Sequence, residues 1–214
     1  MQELPWSWLG RVPYDEARSM QRERVDAVAA GTASPILWLL EHSDVVTVGR
    51  GGDFAEARAS GLPVAETERG GGLTWHGPGQ LVGYPIVPVA DHDVHRHLRD
   101  IEEALIRYLA TIGLRGGRKE KLTGVWVADK KIASIGVAVR RWVAYHGFAF
   151  NVAPDLAAFH RFRPCGLDPD VMTSLLELGV AAALEDVAAG IASAFGDVFG
   201  CCMTREISTG SVRA

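Results

Sequence analysis

Between Arg69 and Pro85 the chain reads Arg-Gly-Gly-Gly-Leu-Thr-Trp-His-Gly-Pro-Gly-Gln-Leu-Val-Gly-Tyr-Pro, six glycines and two prolines in seventeen residues. Glycine loses more backbone entropy on folding than any other residue and packs no side chain, so this density weakens any helix or strand built from it. Sterics allow two readings. Either the stretch is a surface loop, or something comes so close to this backbone that a Cβ would not fit. It is not a phosphate loop, because the GK[ST] ending is missing and no helical pattern follows.

The 214 residues are 48% hydrophobic and 22% charged, enough for a sizeable core, and neither repeats nor low-complexity linkers interrupt them. One soluble globular domain over residues 1–214 is the expectation, with the tail after about residue 204 loosely held. No basic-then-apolar leader opens the chain, and apolar runs such as residues 36–40 are far too short to span a membrane, so the cytoplasm is the expected location. Cys165, Cys201 and Cys202 make neither a disulfide framework nor a metal-type pair, which fits a reducing compartment. Cys201 and Cys202 are read as packing residues.

Charge is unevenly spread. Residues 107–163 hold eleven bases against three acids, net +8, and the remainder holds eleven against twenty-three, net −12. Such asymmetry suggests a basic face for an acidic partner, although a merely solvated face remains open. A pI near 6.0 and the absence of zinc-finger or ribonucleoprotein motifs argue against nucleic acid.

In chain order, residues 6–10 read as a short strand and 14–30 as an amphipathic helix ended by Gly31. Residues 36–41 and 45–49 are β-rich runs expected to lie side by side. A short helix over 54–60 stops at Gly61. Residues 81–89 are apolar, but Pro85 and Pro88 each remove a ladder donor and push this strand toward the sheet edge. Residues 93–113 place Val94, Leu98, Ile101, Leu105, Ile106 and Leu109 on one helical stripe. His92, His95 and His97 lack a paired ligand spacing, so they are read as exposed and no metal site is expected. Residues 122–127, 131–140 and 143–152 form a meander with tips at Ala128-Asp129-Lys130 and Arg140-Arg141. Residues 155–162 make a helical turn or two, 163–167 a rigid corner, and 170–178 and 181–199 two further helices. The fold class is α/β, a mixed and largely antiparallel sheet with helices on one side.

Cys165 sits in that corner between Pro164 and Gly166, with Arg161 and Arg163 before it. A lone cysteine is often a small buried hydrophobe, but an electropositive corner open on one side also suits a thiolate.

The stretch from Arg69 to Pro85, together with Gly124-Val125-Trp126, Lys131-Ile132-Ala133-Ser134-Ile135-Gly136, His146-Gly147-Phe148-Ala149-Phe150-Asn151-Val152, Pro164-Cys165-Gly166 and Thr173-Ser174-Leu175, closely resembles the lipoyl(octanoyl) transferases of lipoate biosynthesis. The match runs in order over residues 37–178. It implies a sheet flanked by helices as in biotin and lipoate protein ligases, and it implies no cofactor. It also implies that octanoyl passes from a thioester on acyl carrier protein to Cys165, and then to a lysine of a lipoyl domain. Acceptors of that kind are 2-oxoacid dehydrogenase E2 subunits and the glycine cleavage H protein. The catalytic pair falls on Cys165 and Lys131. The acyl pocket falls on Arg69, Gly70, Gly71, Gly72, Leu73, Thr74, Trp75 and His76, on Ser134, Ile135 and Gly136, and on Gly147, Phe148 and Ala149. Neither nucleic acid nor membrane is implied as a partner.

The physics of such a pair can be stated separately. An ammonium beside a thiol favours the thiolate, and once the sulfur becomes a neutral thioester the buried ammonium loses its counter-ion and gives up a proton. Leu73, Trp75, Ile135 and Phe148 are expected to wall an apolar tunnel, with Gly70, Gly71 and Gly72 leaving room for the chain. Burying about six methylenes at roughly 0.8 kcal/mol each contributes on the order of 5 kcal/mol. Amides near Gly77 or Gly166 are candidate oxyanion donors, and His76 either joins them or braces the loop. Two competing functions remain open: an ATP-dependent lipoate or biotin ligase, which needs no nucleophilic cysteine, and a non-catalytic binder of acyl carriers or lipoyl domains.

Overall fold

The computed structural model describes residues 2–206. In chain order its elements begin with β1 (Gln2–Arg11), α1 (Tyr14–Ala29), β2 (Ile36–Glu41), β3 (Val45–Val48), α2 (Phe54–Ala59), β4 (Val64–Glu66), β5 (Leu73–His76) and β6 (Gln80–Pro88). They continue with α3 (Val94–Thr111), β7 (Gly116–Lys119), β8 (Leu122–Val127), β9 (Lys130–Arg140), β10 (Val143–Asn151), α4 (Leu184–Phe199) and β11 (Cys201–Arg205). Eight strands form one sheet in the order β11-β1-β2-β6-β10-β9-β8-β7, and three form a second in the order β4-β3-β5. Pairs β1–β11, β1–β2 and β3–β4 are parallel and the others antiparallel, the mixed sheet expected.

Strand β2 explains the layering. Ile36, Trp38 and Leu40 enter one apolar cluster, Leu37 and Leu39 another, and all are buried. A strand apolar on both faces needs cover on both. Helices α3 and α4 cover one face with Ile101, Leu105, Val187, Ile191 and Phe195, while α1 covers the other with Ala17 and Val25. The expectation of helices on one side is therefore corrected: the sheet is flanked on both. The small sheet has its own core, Val46, Val48, Leu73 and Trp75 packed on Phe159, Phe162 and Met172.

The two β-rich runs do not pair, for β2 belongs to the large sheet and β3 to the small one. Strand β6 is central, between β2 and β10, despite its prolines. Pro85 is tolerated because Gly147 on β10 brings no side chain there, and a Cβ at that position would meet Pro85 Cδ at 2.5 Å. The His146 amide beside it donates to Gln21 Oε1 at 2.8 Å instead of to the ladder. Pro88 ends the strand, exposed.

Residues 170–178 are not a helix. Pro169–Val171 is a 3-10 turn, and three of the amides that follow bond outside the segment: Thr173 N donates to Lys131 O at 3.0 Å, Leu175 N to Asn151 O at 3.0 Å and Leu176 N to Val152 O at 3.0 Å. The second hairpin tip is Arg141-Trp142, both with positive φ (49° and 61°), one residue beyond the expected position. His97 is buried against Phe199 rather than exposed, and burial pushes its pKa down to about 4. Residues 201–205, expected in part to be loose tail, form edge strand β11 with Cys202 exposed; residues 207–214 lie outside the described residues. No helix among the described residues is long and apolar enough to cross a membrane.

The basic segment is less free than its sum suggests. Arg118 pairs with Glu102 and Glu103, Arg107 with Glu103, Lys119 with Asp129 and Arg140 with Asp26.

Candidate active site

Lys131 is the second residue of β9, where the pairing with β8 slips between Val125 and Trp126. A bulge of this kind re-aims a side chain. Gly124 makes room for it: with φ of 136°, a Cβ there would meet Lys131 Cε at 2.7 Å and Ala133 O at 2.5 Å. Lys131 is 5% exposed, and its Nζ lies 5.8 Å from the Trp126 ring centroid. Fully buried Glu102 stands behind it, accepting from Gly124 N at 3.0 Å, Arg99 Nη1 at 2.6 Å and Arg118 Nε at 2.9 Å. Burial pushes the Lys131 ammonium below the usual lysine range, opposed by attraction to Cys165 and then to Glu102.

Cys165 occupies the corner Pro164–Gly166 in a left-handed conformation, φ 52° and ψ 34°. A non-glycine residue there costs on the order of 1 kcal/mol, which the surroundings must over-determine. Phe159 and Phe162 anchor the approach in the small sheet's core, Arg163 N donates to Glu56 Oε1 at 2.6 Å, and Leu167 N closes the turn on Pro164 O at 3.0 Å. The thiol lies 3.4 Å from Leu73 O and remains accessible. Eight residues later the chain is bound to Lys131 itself, through the Met172 bridge and the Thr173 amide. One segment thus ties the cysteine corner to the lysine strand.

Both residues line a single cavity of about 420 Å³. One part of its wall is apolar, from Val94, Leu98, Leu122, Ile135 and Phe148; another is polar, from Tyr14, Arg69, Thr74, Tyr84 and His146. Of the residues expected around the acyl group, Arg69, Gly70, Gly71, Thr74, His76, Ser134, Ile135, Gly136, Gly147, Phe148 and Ala149 line it. Leu73 and Trp75 do not. Strand alternation turns them into the small sheet's core and leaves Thr74 and His76 facing the cavity, so the expected tunnel walls at 73 and 75 are corrected. Gly72 stands outside the lining, where a Cβ would come 3.5 Å from Cys165 Cα.

The glycines serve close backbone approach. Gly49 N, Arg50 N and Gly51 N donate to Gly72 O, Arg69 O and Gly71 O at 3.1, 3.1 and 3.0 Å, locking two loops together. A Cβ at Gly49 would meet Gly71 O at 2.5 Å.

The role of His76 follows from a chain of amides. Asn151 Nδ2 donates to Thr173 O at 2.9 Å, which turns its Oδ1 to Gln80 Nε2 at 3.0 Å and leaves Gln80 Oε1 facing His76 Nδ1 at 2.8 Å. A carbonyl oxygen only accepts, so Nδ1 carries the proton and Nε2 carries none. Burial brings the pKa of His76 down to about 3, keeping it neutral. It has no N–H left to donate into the cavity, and its Nδ1–H ties the loop to Gln80. The other candidate donors also fall away: Gly166 N is taken by Arg163 O at 3.2 Å, and Gly77 packs on the Trp75 ring outside the cavity lining.

Sequence reading missed Tyr14, Arg50, Tyr84 and His146 on the wall, because nothing local marks a residue as facing a cavity assembled from two helices, five strands and the loops between them. Val94 and Leu98 were visible as part of an apolar stripe, but periodicity tells which side of a helix is apolar and not what it faces. Among the described residues no cluster of three or more histidines, cysteines or carboxylates is arranged to hold a metal ion.

Comparison with known proteins adds the family. The lipoyl protein ligase A/B catalytic domain matches residues 13–196. An octanoyltransferase of Geobacter metallireducens is 45% identical over 190 residues, covering 87% of this chain and 89% of that protein. A crystal structure of lipoate-protein ligase A bound with ATP superposes with a TM-score of 0.78 at 18% identity, over 98% of this chain and 90% of that one. Biotin protein ligase from Aquifex aeolicus has the related fold, with a TM-score of 0.54 at 12% identity over 93% of this chain and 69% of that one.

Proposed function

The chain belongs to the lipoyl protein ligase A/B catalytic-domain family, and from that premise we propose that it moves an octanoyl group from an acyl carrier protein thioester to Cys165 and on to a lysine of a lipoyl domain. One observation carries the reading: the buried lysine Lys131 and the accessible cysteine Cys165 line one cavity with an apolar wall. An enzyme that activates its acid as an adenylate has no use for such a pair.

In the first half-reaction the Cys165 thiolate attacks the donor carbonyl. The new C–S bond forms, the donor C–S bond breaks, and the departing thiol takes its proton from Lys131, leaving a neutral thioester and a neutral amine. In the second, the acceptor enters as an ammonium and loses two protons in becoming an amide. One goes to Lys131 and one to solvent, while Cys165 leaves as thiolate. The amide of Gly71, which donates to no backbone carbonyl among the described residues and lies beside Cys165 on the cavity wall, is the candidate oxyanion donor. Lipoyl domains of 2-oxoacid dehydrogenase E2 subunits and the glycine cleavage H protein are the proposed acceptors.

Incubating the full chain with octanoyl carrier protein and no ATP is expected to add one octanoyl group by intact mass, and the loaded protein is expected to octanoylate a lipoyl domain. An adduct that needs ATP, or no adduct, overturns the reading.

The carrier is proposed to dock over the groove next to the cavity. Arg50 lines both, and Arg141 and the half-exposed Trp142 line the groove. Because Arg140 is engaged by Asp26 at 3.1 Å, Arg141 is the better target. Arg141→Glu is expected to raise KM for the carrier roughly tenfold at low salt, less at high salt, with kcat little changed. An unaltered KM would move the docking face elsewhere.

A further inference from the structure

A second buried cation stands in the same cavity as Lys131, apart from the exposed Arg50 and Lys121 on its wall. Arg69 is 7% exposed and has no carboxylate within ion-pair distance among the described residues. Its Nη2 donates to Thr47 O and Thr47 Oγ1, both at 2.8 Å, its Nη1 to Gly70 O at 3.1 Å, and its Nε has no partner. All of these acceptors are neutral. A buried guanidinium held only by neutral groups is costly, and Arg cannot shed its charge.

The titratable groups around it supply no counter-charge. Burial raises the pKa of Tyr14 and Tyr84, and brings His76 and His146 down to about 3 and 4, so all four are neutral near pH 7. Glu68, next in sequence, is engaged by Arg18 and Arg22. What remains is the sulfur. The position a Gly71 Cβ would occupy lies 3.6 Å from Arg69 Nη1 and 3.8 Å from Cys165 Sγ, so cation and sulfur are at most about 7.4 Å apart. Attraction to Cys165 is the largest influence holding the guanidinium's charge in place.

We propose that Arg69 is a positioning residue of the acyl transfer: a permanent buried cation that favours the Cys165 thiolate and, once the sulfur is acylated, drives Lys131 to give up its proton. This rests on the reading above. With Arg69 in place, guanidinium, ammonium and thiolate sum to +1, and acylation without proton loss would leave two buried cations, while the exposed Arg50 and Lys121 on the same wall stay solvated throughout. Transfer of the Lys131 proton to the departing thiol returns the site to +1, and nothing else need move. The glycines beside Arg69 gain a purpose as well: a Cβ at Gly49 would meet Nη1 at 2.8 Å, and one at Gly136 would meet Cδ at 3.3 Å.

The test compares Arg69→Gln, which can still donate to Thr47, with Arg69→Lys, which keeps the charge but loses the fork. Arg69→Met is measured alongside in case the glutamine variant does not fold. The readout is the rate of Cys165 alkylation by iodoacetamide against pH, which needs no acyl donor and therefore stands apart from the failure of the functional reading. The charge-free variants are expected to move the profile up by about one pH unit, and Arg69→Lys by much less. In single-turnover transfer from pre-loaded protein to a lipoyl domain, the charge-free variants are expected to require higher pH. Unmoved profiles in a folded charge-free variant overturn the proposal. So does an equal displacement in Arg69→Lys, since that would mean the hydrogen bonds to Thr47 matter and the charge does not.

Discussion

Cys165→Ser is expected to lower kcat/KM for octanoyl transfer by on the order of 10³-fold or more, and to leave no octanoyl adduct in the intact mass. Serine keeps the size and the left-handed corner, and the accessible side chain contributes no core packing, so thermal unfolding should barely change. The loss is one of chemistry. A neighbouring ammonium is enough to favour a thiolate but falls far short of ionising an alcohol, and the buried histidines of the cavity are poor bases for it, since burial brings His76 and His146 down to about 3 and about 4. A serine variant that turns over at the parental rate would remove the covalent route altogether.

Lys131→Ala is expected to cost about 10²- to 10⁴-fold in kcat/KM, the span usual for a lost acid–base residue. It should also move the alkylation profile of Cys165 to higher pH, because one of the two buried cations of the cavity has gone. The direction follows from the surroundings of Lys131. Burial favours its neutral amine, while Cys165 and Glu102 favour the ammonium; acylation deletes the first of these attractions and leaves burial to prevail. Removing the lysine does not orphan Glu102, which keeps Arg99, Arg118 and the Gly124 amide, so the fold should tolerate the change. Steady-state kinetics together with the pH profile separate this from a packing defect. A slow enzyme whose alkylation profile is unmoved would mean that Lys131 does not act through the sulfur.

Much of the fold was legible because local rules agreed with tertiary need. The stripe of α3, the β-rich apolar run of β2 and the Pro-Cys-Gly corner read as they are built. Where reading failed, a distant residue had overruled a local rule. Pro85 sits mid-sheet because Gly147 and Gln21, 62 and 64 positions away, accommodate its ring and take up the amide opposite. Residues 170–178 look helical but give three of their amide hydrogen bonds to Lys131, Asn151 and Val152, which no window of nine residues can reveal. His97 reads as exposed until Phe199 from α4 closes over it.

The site divides in the same way. Residue types and their order identified the cysteine, the lysine and the glycine loop, since chemistry and backbone sterics are properties of the residues themselves. Two further matters needed the assembled chain: which residues of the loop face the cavity, and what balances the charge there. Alternation in β5 turned Leu73 and Trp75 away, and the state of Arg69 depends on four side chains kept neutral by burial, Tyr14, His76, Tyr84 and His146, and on a carboxylate, Glu68, already engaged by Arg18 and Arg22. Identity is written along the chain. Charge state and facing are decided by what folds against it, because desolvation and hydrogen bonding act through space.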